Sequence, residues 1–248
     1  MKSGEQFTDT QFPGNKYCLI DDWNDTSEEI ASIKDEWAKI QWHRAAKVEG
    51  LGENYKLFDD TETSKDIGPN DIEQGGLGDC YFLSSLSVLA ENPFRIKRLF
   101  YNGCSNEHGL FAVSITKNGH KQMVIVDDNI PCKDLRPAFS TSGDDEIWVI
   151  ILEKAWAKLH GTYQRIDGGH TYQTLRDLTG APSFEFDIKK ELNEENGLRN
   201  DLMIKLCEKI KTYDQSNFVM CASIDGDGES KDKKLGLVSG HAYGLIAH

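Results

Sequence analysis

Residues 73–90 read EQGGLGDCYFLSSLSVLA and place Cys80 between a glycine-rich turn and an apolar run. After Cys80 the apolar residues recur with the spacing of one helical face, and Pro93 limits how far a helix can extend. The pattern predicts a helix whose first turn contains Cys80. Unpaired N–H groups and the helix dipole favour negative charge there, and so favour a thiolate. Two interpretations follow: Cys80 is a nucleophile, or it is a small buried residue of the core.

The turn before the cysteine also fits a reactive site. Its glycines permit backbone conformations that are closed to other residues and let the backbone approach a ligand closely. Gln74 carries an amide that could donate to the oxyanion formed when a thiolate attacks a carbonyl. Asp79 opposes a thiolate by its charge, but it is also suited to cap the helix. Taken alone, each of these residues equally fits an ordinary tight turn.

A thiolate nucleophile needs a base that becomes its cationic partner, and imidazole is the usual one. Of the seven histidines, His241 has the most suitable surroundings. It lies between Gly240 and Ala242 at a predicted strand, where a substrate backbone could pass close by. Taken alone, His241 also fits a hydrogen-bonded strand histidine, and sequence spacing does not bring it next to Cys80.

The composition excludes several classes of protein. The 41 acidic and 28 basic residues give a formal net charge of -13, which repels phosphate backbones, so we expect no nucleic-acid partner. No apolar run approaches the ~20 residues that span a bilayer, and the first residues lack a secretory signal, so we expect no transmembrane segment and a cytoplasmic location. The six cysteines are scattered without a C-x-x-C pair, which argues against a zinc site or a disulfide framework.

The order of predicted elements indicates an α+β fold, because helices come first and β structure becomes denser later. Residues 1–65 are predicted to be an N-terminal extension packed on the core. Residues 66–181 form a first, helical lobe that bears the cysteine, and residues 182–248 form part of a second, β-rich lobe that bears the histidine. Gly180 and Pro182 are suited to a hinge between these lobes.

Local patterns predict the individual elements. Thr26 and Glu29 fit a capping box for a helix within residues 25–42. Asn118-Gly119 fits the turn of a β-hairpin, and Gly161 fits the end of a buried helix over residues 146–161. Near the end of the chain we expect a helix at 199–212 and strands at 217–224 and 237–248.

The pattern Gln-Gly-x-x-Gly-Asp-Cys-aromatic-Phe-Leu of residues 74–83, together with Gly-His-Ala-Tyr of residues 240–243, resembles the calpain family of papain-like cysteine proteases. The segments FTDTQFPGN, IQWHRAAKV and EIWVIILEKAWAKLHGTY resemble the family as well, so the resemblance covers nearly the whole chain. It implies a papain-like two-lobed core whose β-rich lobe is incomplete here. It also implies an intracellular, calcium-responsive endopeptidase that cleaves proteins through an acyl-enzyme.

Carried over to the matching positions, the resemblance implies a role for each site residue. Cys80 is the nucleophile, His241 is the general base, and Gln74 is the side-chain oxyanion donor beside the Cys80 backbone N–H. Gly169 and Gly240 match positions at which the family hydrogen-bonds the substrate backbone.

The resemblance also implies a calcium site formed by the carboxylates of Asp71 and Glu146 with backbone carbonyls of residues 64–68. The chain departs from the family pattern beside this site, where Asp66 replaces a glycine and Pro69 replaces an arginine. Without an ion, Asp71 fits an Asx turn, and Glu146 fits a carboxylate that offsets a helix dipole.

Papain-like catalysis also uses an asparagine that holds the imidazole tautomer, and in the family it follows the histidine in an Asn-Pro-Trp-Gly-like stretch. Only seven residues follow His241. The chain is therefore expected to be either a fragment of a longer enzyme or a natural short form. The short form would be a catalytically incomplete module with a structural or regulatory role in a larger, for example cytoskeletal, assembly. Another papain-like thiol enzyme, such as an acyltransferase or isopeptidase, is a third alternative.

Overall fold

A computed structural model describes residues 5–58, 67–101, 107–143, 145–188, 190, 199–224, 226 and 236–246. Within them, helices are mixed with small antiparallel sheets, which confirms the predicted α+β class. The division of the chain at residues 65 and 181 into an extension and two lobes stays a prediction.

Of the six described α-helices, four lie where the sequence predicts them, and the two over residues 93–97 and 171–179 were not predicted. Their bounds are Glu28–Trp37 (α1), Cys80–Ala90 (α2), Pro93–Lys97 (α3), Trp148–His160 (α4), Thr171–Thr179 (α5) and Arg199–Gln215 (α6). As predicted, α2 begins at Cys80 and ends before Pro93, which starts α3. Gly161 ends α4 with a φ of 111°, a conformation that favours glycine, and its N–H donates to the Ala157 carbonyl at 2.8 Å.

The strands are short and pair in antiparallel fashion. Their bounds are Gln41–Arg44 (β1), Ile72–Glu73 (β2), Leu110–Lys117 (β3), His120–Asp127 (β4), Asn129–Lys133 (β5), Arg136–Pro137 (β6), Thr141–Ser142 (β7), Met220–Ile224 (β8) and His241–Leu245 (β9). The described sheets are β1-β5-β6 and the pairs β2-β7, β3-β4 and β8-β9. The β3-β4 pair is the predicted hairpin, and its turn residues Asn118 and Gly119 have φ values of 53° and 78°.

Helix α1 begins one residue later than the predicted capping box requires. Ser27 is the N-cap residue, and its hydroxyl accepts the Ile30 N–H at 3.4 Å. The Asp25 carboxylate accepts the Ser27 N–H at 2.8 Å and so orients the serine for this role. The predicted pairing of Thr26 with Glu29 is therefore wrong.

Helices α2 and α4 pack together in the core. Phe82 and Trp156 stack with their ring centroids 5.2 Å apart. The Tyr81 hydroxyl accepts a hydrogen bond from Trp156 Nε1 at 3.1 Å and donates to the Ile166 carbonyl at 3.2 Å. Because the Tyr81 hydroxyl is held from both sides, the first turn of α2 has a fixed position relative to α4.

The first part of the chain contributes to the same core. Phe12, Leu19, Ile20 and Trp37 are all buried in it. Tyr163 stacks on Phe139 with ring centroids 4.6 Å apart and also contacts Phe12. Through this packing, the residues before β1 become part of the same core as α2, the helix that begins with Cys80.

Strand β9 lies across α2. A Cβ atom on Gly244 would lie 2.9 Å from Val88 Cγ1, so this glycine permits the close approach of strand to helix. The pairs of β8 with β9 run from Met220 opposite Leu245 to Ile224 opposite His241. Both strands are shorter than predicted. Among the described residues, no helix has the length and apolar character needed to cross a bilayer.

Candidate active site

Cys80 is the first residue of α2 and is half-buried. In the described part of the chain its backbone N–H has no acceptor, as expected for the first turn of a helix. The Cys80 side chain and an N–H donor are therefore presented at one helix end, which is the arrangement that attack of a cysteine nucleophile on a carbonyl requires.

Gln74 is exposed, and its amide is held by its own loop. Nε2 donates to the Leu77 carbonyl at 2.7 Å. An amide nitrogen carries two hydrogens, so this bond fixes the side chain and leaves a second N–H to donate. The predicted oxyanion donor thus has one hydrogen bond that orients it within the loop leading to Cys80.

Two glycines of this loop lie very close to other parts of the protein. A Cβ atom on Gly75 would lie 1.8 Å from the Phe139 carbonyl oxygen, and one on Gly78 would lie 2.2 Å from Asp167 Oδ1. The Gly76 N–H donates to the Ala138 carbonyl at 3.1 Å. Any side chain at position 75 or 78 would force the neighbouring atoms to shift. Glycine at both positions therefore allows the loop to pack closely against the core.

Asp79 does not cap α2 in the way the sequence suggests. It occupies the N-cap position, but its side chain accepts no hydrogen bond from the helix. The carboxyl group instead points into the core, where Asp79 is 0% exposed, and neither of its oxygens has a hydrogen-bond donor among the described residues. Burial raises the pKa of Asp79 to about 7.

The partner of Asp79 is Glu153 of α4, a residue that sequence reasoning missed. Glu153 is 1% exposed, and its Oε1 accepts the Ser140 N–H at 3.0 Å. Burial and then the charge of Asp79 raise the pKa of Glu153 well above its usual range. The signal in the sequence was a single glutamate among the apolar residues of α4, with nothing to show what it faces.

Gly169 lies beside the start of α2. The Gly168 N–H donates to the Gly78 carbonyl at 2.9 Å, which ties this turn to the loop before Cys80. A Cβ atom on Gly169 would lie 2.5 Å from Tyr81 Cζ, so the exposed glycine backbone rests directly on the tyrosine ring. The structure therefore places the Gly169 backbone against Tyr81, the residue that follows Cys80, and the role of Gly169 in substrate binding stays a prediction.

His241 is the first residue of β9, the strand that packs on α2. Its ring meets that of Tyr243 edge-on, with centroids 4.9 Å apart. Gly240 has a φ of 68°, and its N–H donates to the Ile224 carbonyl at 2.8 Å. In the described residues, no hydrogen bond joins the His241 ring to Cys80 Sγ. The structure thus brings their two elements together without a direct bond between the side chains.

The two predicted calcium ligands are connected through Gly143. The Gly143 N–H donates to the Asp71 carbonyl at 3.0 Å, and the Glu146 N–H donates to the Gly143 carbonyl at 3.2 Å. Asp71 Oδ2 accepts the Gly68 N–H at 2.7 Å, and Glu146 Oε2 accepts the Trp148 indole N–H at 2.9 Å. Two carboxylates near backbone carbonyls are hard oxygen donors, which suit Ca²⁺.

The remaining predicted calcium ligands lie outside the described residues. Of the segment 64–68 only residues 67 and 68 are described, and Asp66 is not. Within the described residues, no cluster of three or more His, Cys, Asp or Glu side chains is arranged to hold a metal ion. The donor chemistry of Asp71 and Glu146 fits calcium, and the site as a whole stays a prediction.

The fold and the cysteine at the start of a core helix are those expected of a thiol protease, and comparisons with known proteins identify the family. The sequence model described as "calpain family cysteine protease" matches residues 7–248. The chain therefore belongs to the calpain family.

Several relatives match almost the whole chain. A calpain-type cysteine protease DEK1 of Arabidopsis thaliana is 32% identical over 99% of the chain, and Calpain-5 of Caenorhabditis elegans is 30% identical over 100%. The Calpain-1 catalytic subunit of Gallus gallus is 31% identical over 100% of the chain. The chain spans only 11%, 36% and 32% of the lengths of these three relatives.

Proposed function

We propose that this chain carries the nucleophile and the general base of a calcium-responsive cysteine endopeptidase. The observation that supports this proposal most directly is the position of Cys80. It begins α2, and its N–H has no acceptor within the described part of the chain. The Gln74 amide is oriented by Leu77 in the preceding loop. Family membership supports peptidase activity in general.

In the proposed reaction, the His241 imidazole takes the proton of Cys80 Sγ, and the thiolate attacks the carbonyl carbon of the scissile peptide bond. The resulting oxyanion accepts hydrogen bonds from the Cys80 N–H and from the second amide N–H of Gln74. When this intermediate collapses, the C–N bond breaks and the imidazolium gives its proton to the leaving amine. A water molecule then gives a proton to His241 and attacks the thioester, which releases the acid and restores the thiol.

We propose that an extended protein segment is the substrate and that it lies between Gly169 and Gly240. Both glycines have exposed backbones. Gly169 rests on Tyr81 of α2, and Gly240 directly precedes His241 of β9, the strand that packs on α2. A glycine leaves its backbone N–H and C=O open to a substrate strand, as backbone recognition requires.

We further propose that the protein works in the cytoplasm. Cys18, Cys80, Cys132, Cys207 and Cys221 are free thiols, as expected in a reducing compartment. The strongly acidic composition supports proteins rather than nucleic acids as partners.

Peptide hydrolysis tests this proposal. The full chain should cleave unfolded casein in the presence of Ca²⁺, and Cys80→Ala should abolish cleavage. Cys207→Ala is the matched control, because Cys207 is an exposed thiol on α6, and it should retain the wild-type rate. Cleavage that survives in Cys80→Ala would contradict the assignment.

Calcium responsiveness through Asp71 and Glu146 is the second part of the proposal. Their segments are joined through Gly143 just before β2 and α4, so an ion bound there would order the loop that leads to Gln74. Calorimetric titration with Ca²⁺ should show binding that is lost in the double variant Asp71→Asn, Glu146→Gln. Glu73→Gln, which changes an exposed carboxylate of β2, should bind like the wild type. Equal binding by all three proteins would place calcium elsewhere.

A catalytically incomplete module is the second candidate function, and one observation favours it. His241 and Cys80 share no hydrogen bond in the described part of the chain. The first candidate requires this hydrogen bond to form when substrate binds, as catalytic hydrogen bonds often do. A chain that binds Ca²⁺ but cleaves neither casein nor small peptide esters would be such a module, with a structural or regulatory role in a larger assembly.

A further inference from the structure

The space beneath the first turn of α2 holds two buried carboxyl groups. Asp79 is 0% exposed and Glu153 is 1% exposed. Within the described residues, neither carboxyl forms an ion pair with a basic side chain. In the described part of the chain, the Ser140 N–H donates to Glu153 and no donor reaches Asp79. Two ionised carboxylates in this position would be very unfavourable, because burial and mutual repulsion both oppose the charged forms.

A proton shared between the Asp79 and Glu153 carboxyl groups removes this repulsion. The Glu153 carboxyl lies within hydrogen-bonding reach of Asp79. Two carboxylates in contact only repel, whereas a carboxylic acid donates a strong hydrogen bond to a carboxylate. Oε1 of Glu153 accepts the Ser140 N–H, and a proton on the Glu153 carboxyl group lets it donate to Asp79. Asp79, which otherwise has no donor, then has one.

We propose that Asp79 and Glu153 share one proton and act as positioning residues for Cys80. The shared proton ties the residue directly before Cys80 to α4, which fixes the start of α2. It also limits the buried negative charge beneath the thiolate to a single unit. The inference rests on the proposed function, because it assigns both carboxyl groups to the active site of Cys80.

Three other titratable side chains face the pair. Burial raises the pKa of Tyr81 to about 12 and raises that of Tyr163 well above its usual range, so both stay neutral below about pH 10. Asp167 is an exposed carboxyl group that interacts with Asp79 through its charge. The carboxyl pair is therefore a buried group beside Cys80 whose charge changes near neutral pH.

The pH dependence of Cys80 alkylation tests the inference. Iodoacetamide reacts with the thiolate, and peptide mapping of the full chain reports the rate at Cys80 separately from the other thiols. In the wild type, loss of the shared proton adds a second negative charge beneath Cys80 and opposes formation of the thiolate. The alkylation rate should therefore rise over a wider pH range than the titration of a single group would give. In Glu153→Gln the amide still donates to Asp79 but releases no proton. The rate should then follow a single titration and exceed the wild-type rate by roughly tenfold near pH 8.

Asp167→Asn is the matched control, because it removes a carboxyl group near Asp79 that does not hold the shared proton. Its alkylation profile should keep the broad wild-type shape. A wild-type profile that already follows a single titration, or a Glu153→Gln profile identical to the wild type, would overturn the inference.

Infrared spectroscopy gives a second readout that does not depend on how well the variant folds. The wild type at neutral pH should show the C=O stretch of a protonated carboxyl group, and this band should disappear in alkaline solution and in Glu153→Gln. Absence of the band from the wild type would overturn the inference. Neither measurement requires peptide cleavage, so failure of the casein assay with a broad alkylation profile would reject the proposed function alone. If the protein cleaves casein but the wild-type alkylation rate follows a single titration, only the proposal of a shared proton would be rejected.

Discussion

The side-chain amide of Gln74 donates to the Leu77 carbonyl at 2.7 Å, inside the loop that leads to Cys80. The bond uses one amide hydrogen and leaves the other, so it orients the side chain without blocking it. A residue that stabilises an oxyanion has to be held in advance, because a mobile donor loses much of its effect.

Gln74→Ala should lower kcat for peptide hydrolysis by about 10²- to 10³-fold with a smaller change in KM, since the lost donor acts on the transition state. Alkylation of Cys80 by iodoacetamide forms no oxyanion, so its rate should stay near that of the wild type. Gln173→Ala, which changes an exposed glutamine of α5, serves as the control for peptide hydrolysis. Equal losses of hydrolysis and alkylation would indicate a disturbed loop rather than a lost donor.

Gly169→Ala should destabilise the fold, because the new Cβ atom would lie 2.5 Å from Tyr81 Cζ. The hydrogen bonds of the Tyr81 hydroxyl with Trp156 and Ile166 keep the ring from moving away. We expect a loss of about 1–3 kcal/mol in the free energy of unfolding, measured by urea denaturation. Gly143→Ala should cost much less, because among the described residues no atom outside its neighbours lies within 4 Å of its Cβ position. Similar losses in the two variants would contradict this account.

Lys154 and Asp127 form a fully buried ion pair with Nζ 2.5 Å from Oδ1. Lys154→Met would leave the Asp127 carboxylate buried without its cation, and urea denaturation should show a loss of about 3–5 kcal/mol. Lys133→Met removes the exposed pair with Glu36 and should cost far less, because water and salt screen exposed charges. Comparable losses from the buried and the exposed pair would contradict the role assigned to Lys154.

His160, at the end of α4, is expected to make stability depend on pH. Its Nδ1–H donates to the Trp156 carbonyl at 2.9 Å, and its Nε2 accepts a hydrogen bond from Lys117 Nζ at 3.0 Å. Burial lowers the pKa of His160, and the Lys117 charge adds to this effect. The unfolded chain therefore binds the proton more readily, and stability falls as the pH drops below about 6.5.

Thermal unfolding of the wild type and of His160→Gln between about pH 5 and pH 8 measures this effect. The Tm advantage of the wild type should shrink as the pH falls. For His120→Gln, which changes an exposed histidine of β4, the Tm difference should stay constant. A constant difference for His160→Gln as well would show that His160 does not contribute to the acid sensitivity of the fold.

The elements that carry the site could be predicted from the sequence because their signals are local. The apolar spacing after Cys80 fixes α2, and the turn residues Asn118 and Gly119 fix the β3-β4 hairpin. The α+β class follows from the order of such elements, and family membership is now established. The roles of Gln74, His241 and the calcium ligands stay predictions.

What the sequence could not indicate depends on contacts between distant segments. Asp79 was assigned a capping role from its position, yet its carboxyl group faces Glu153 of α4. The contact of Gly75 with the Phe139 carbonyl is likewise absent from any local pattern. Both contacts arise from packing in the core, which no pattern within one segment reveals.

The central claim is that Cys80 is a nucleophile activated by His241. The most direct measurement is mass spectrometry of the full chain after treatment with a peptidyl epoxide, with the adduct mapped to a single cysteine. The account predicts one adduct on Cys80 that forms in the wild type, forms far more slowly in His241→Ala and is absent in Cys80→Ala. An adduct on any other cysteine, or an undiminished rate in His241→Ala, would contradict it.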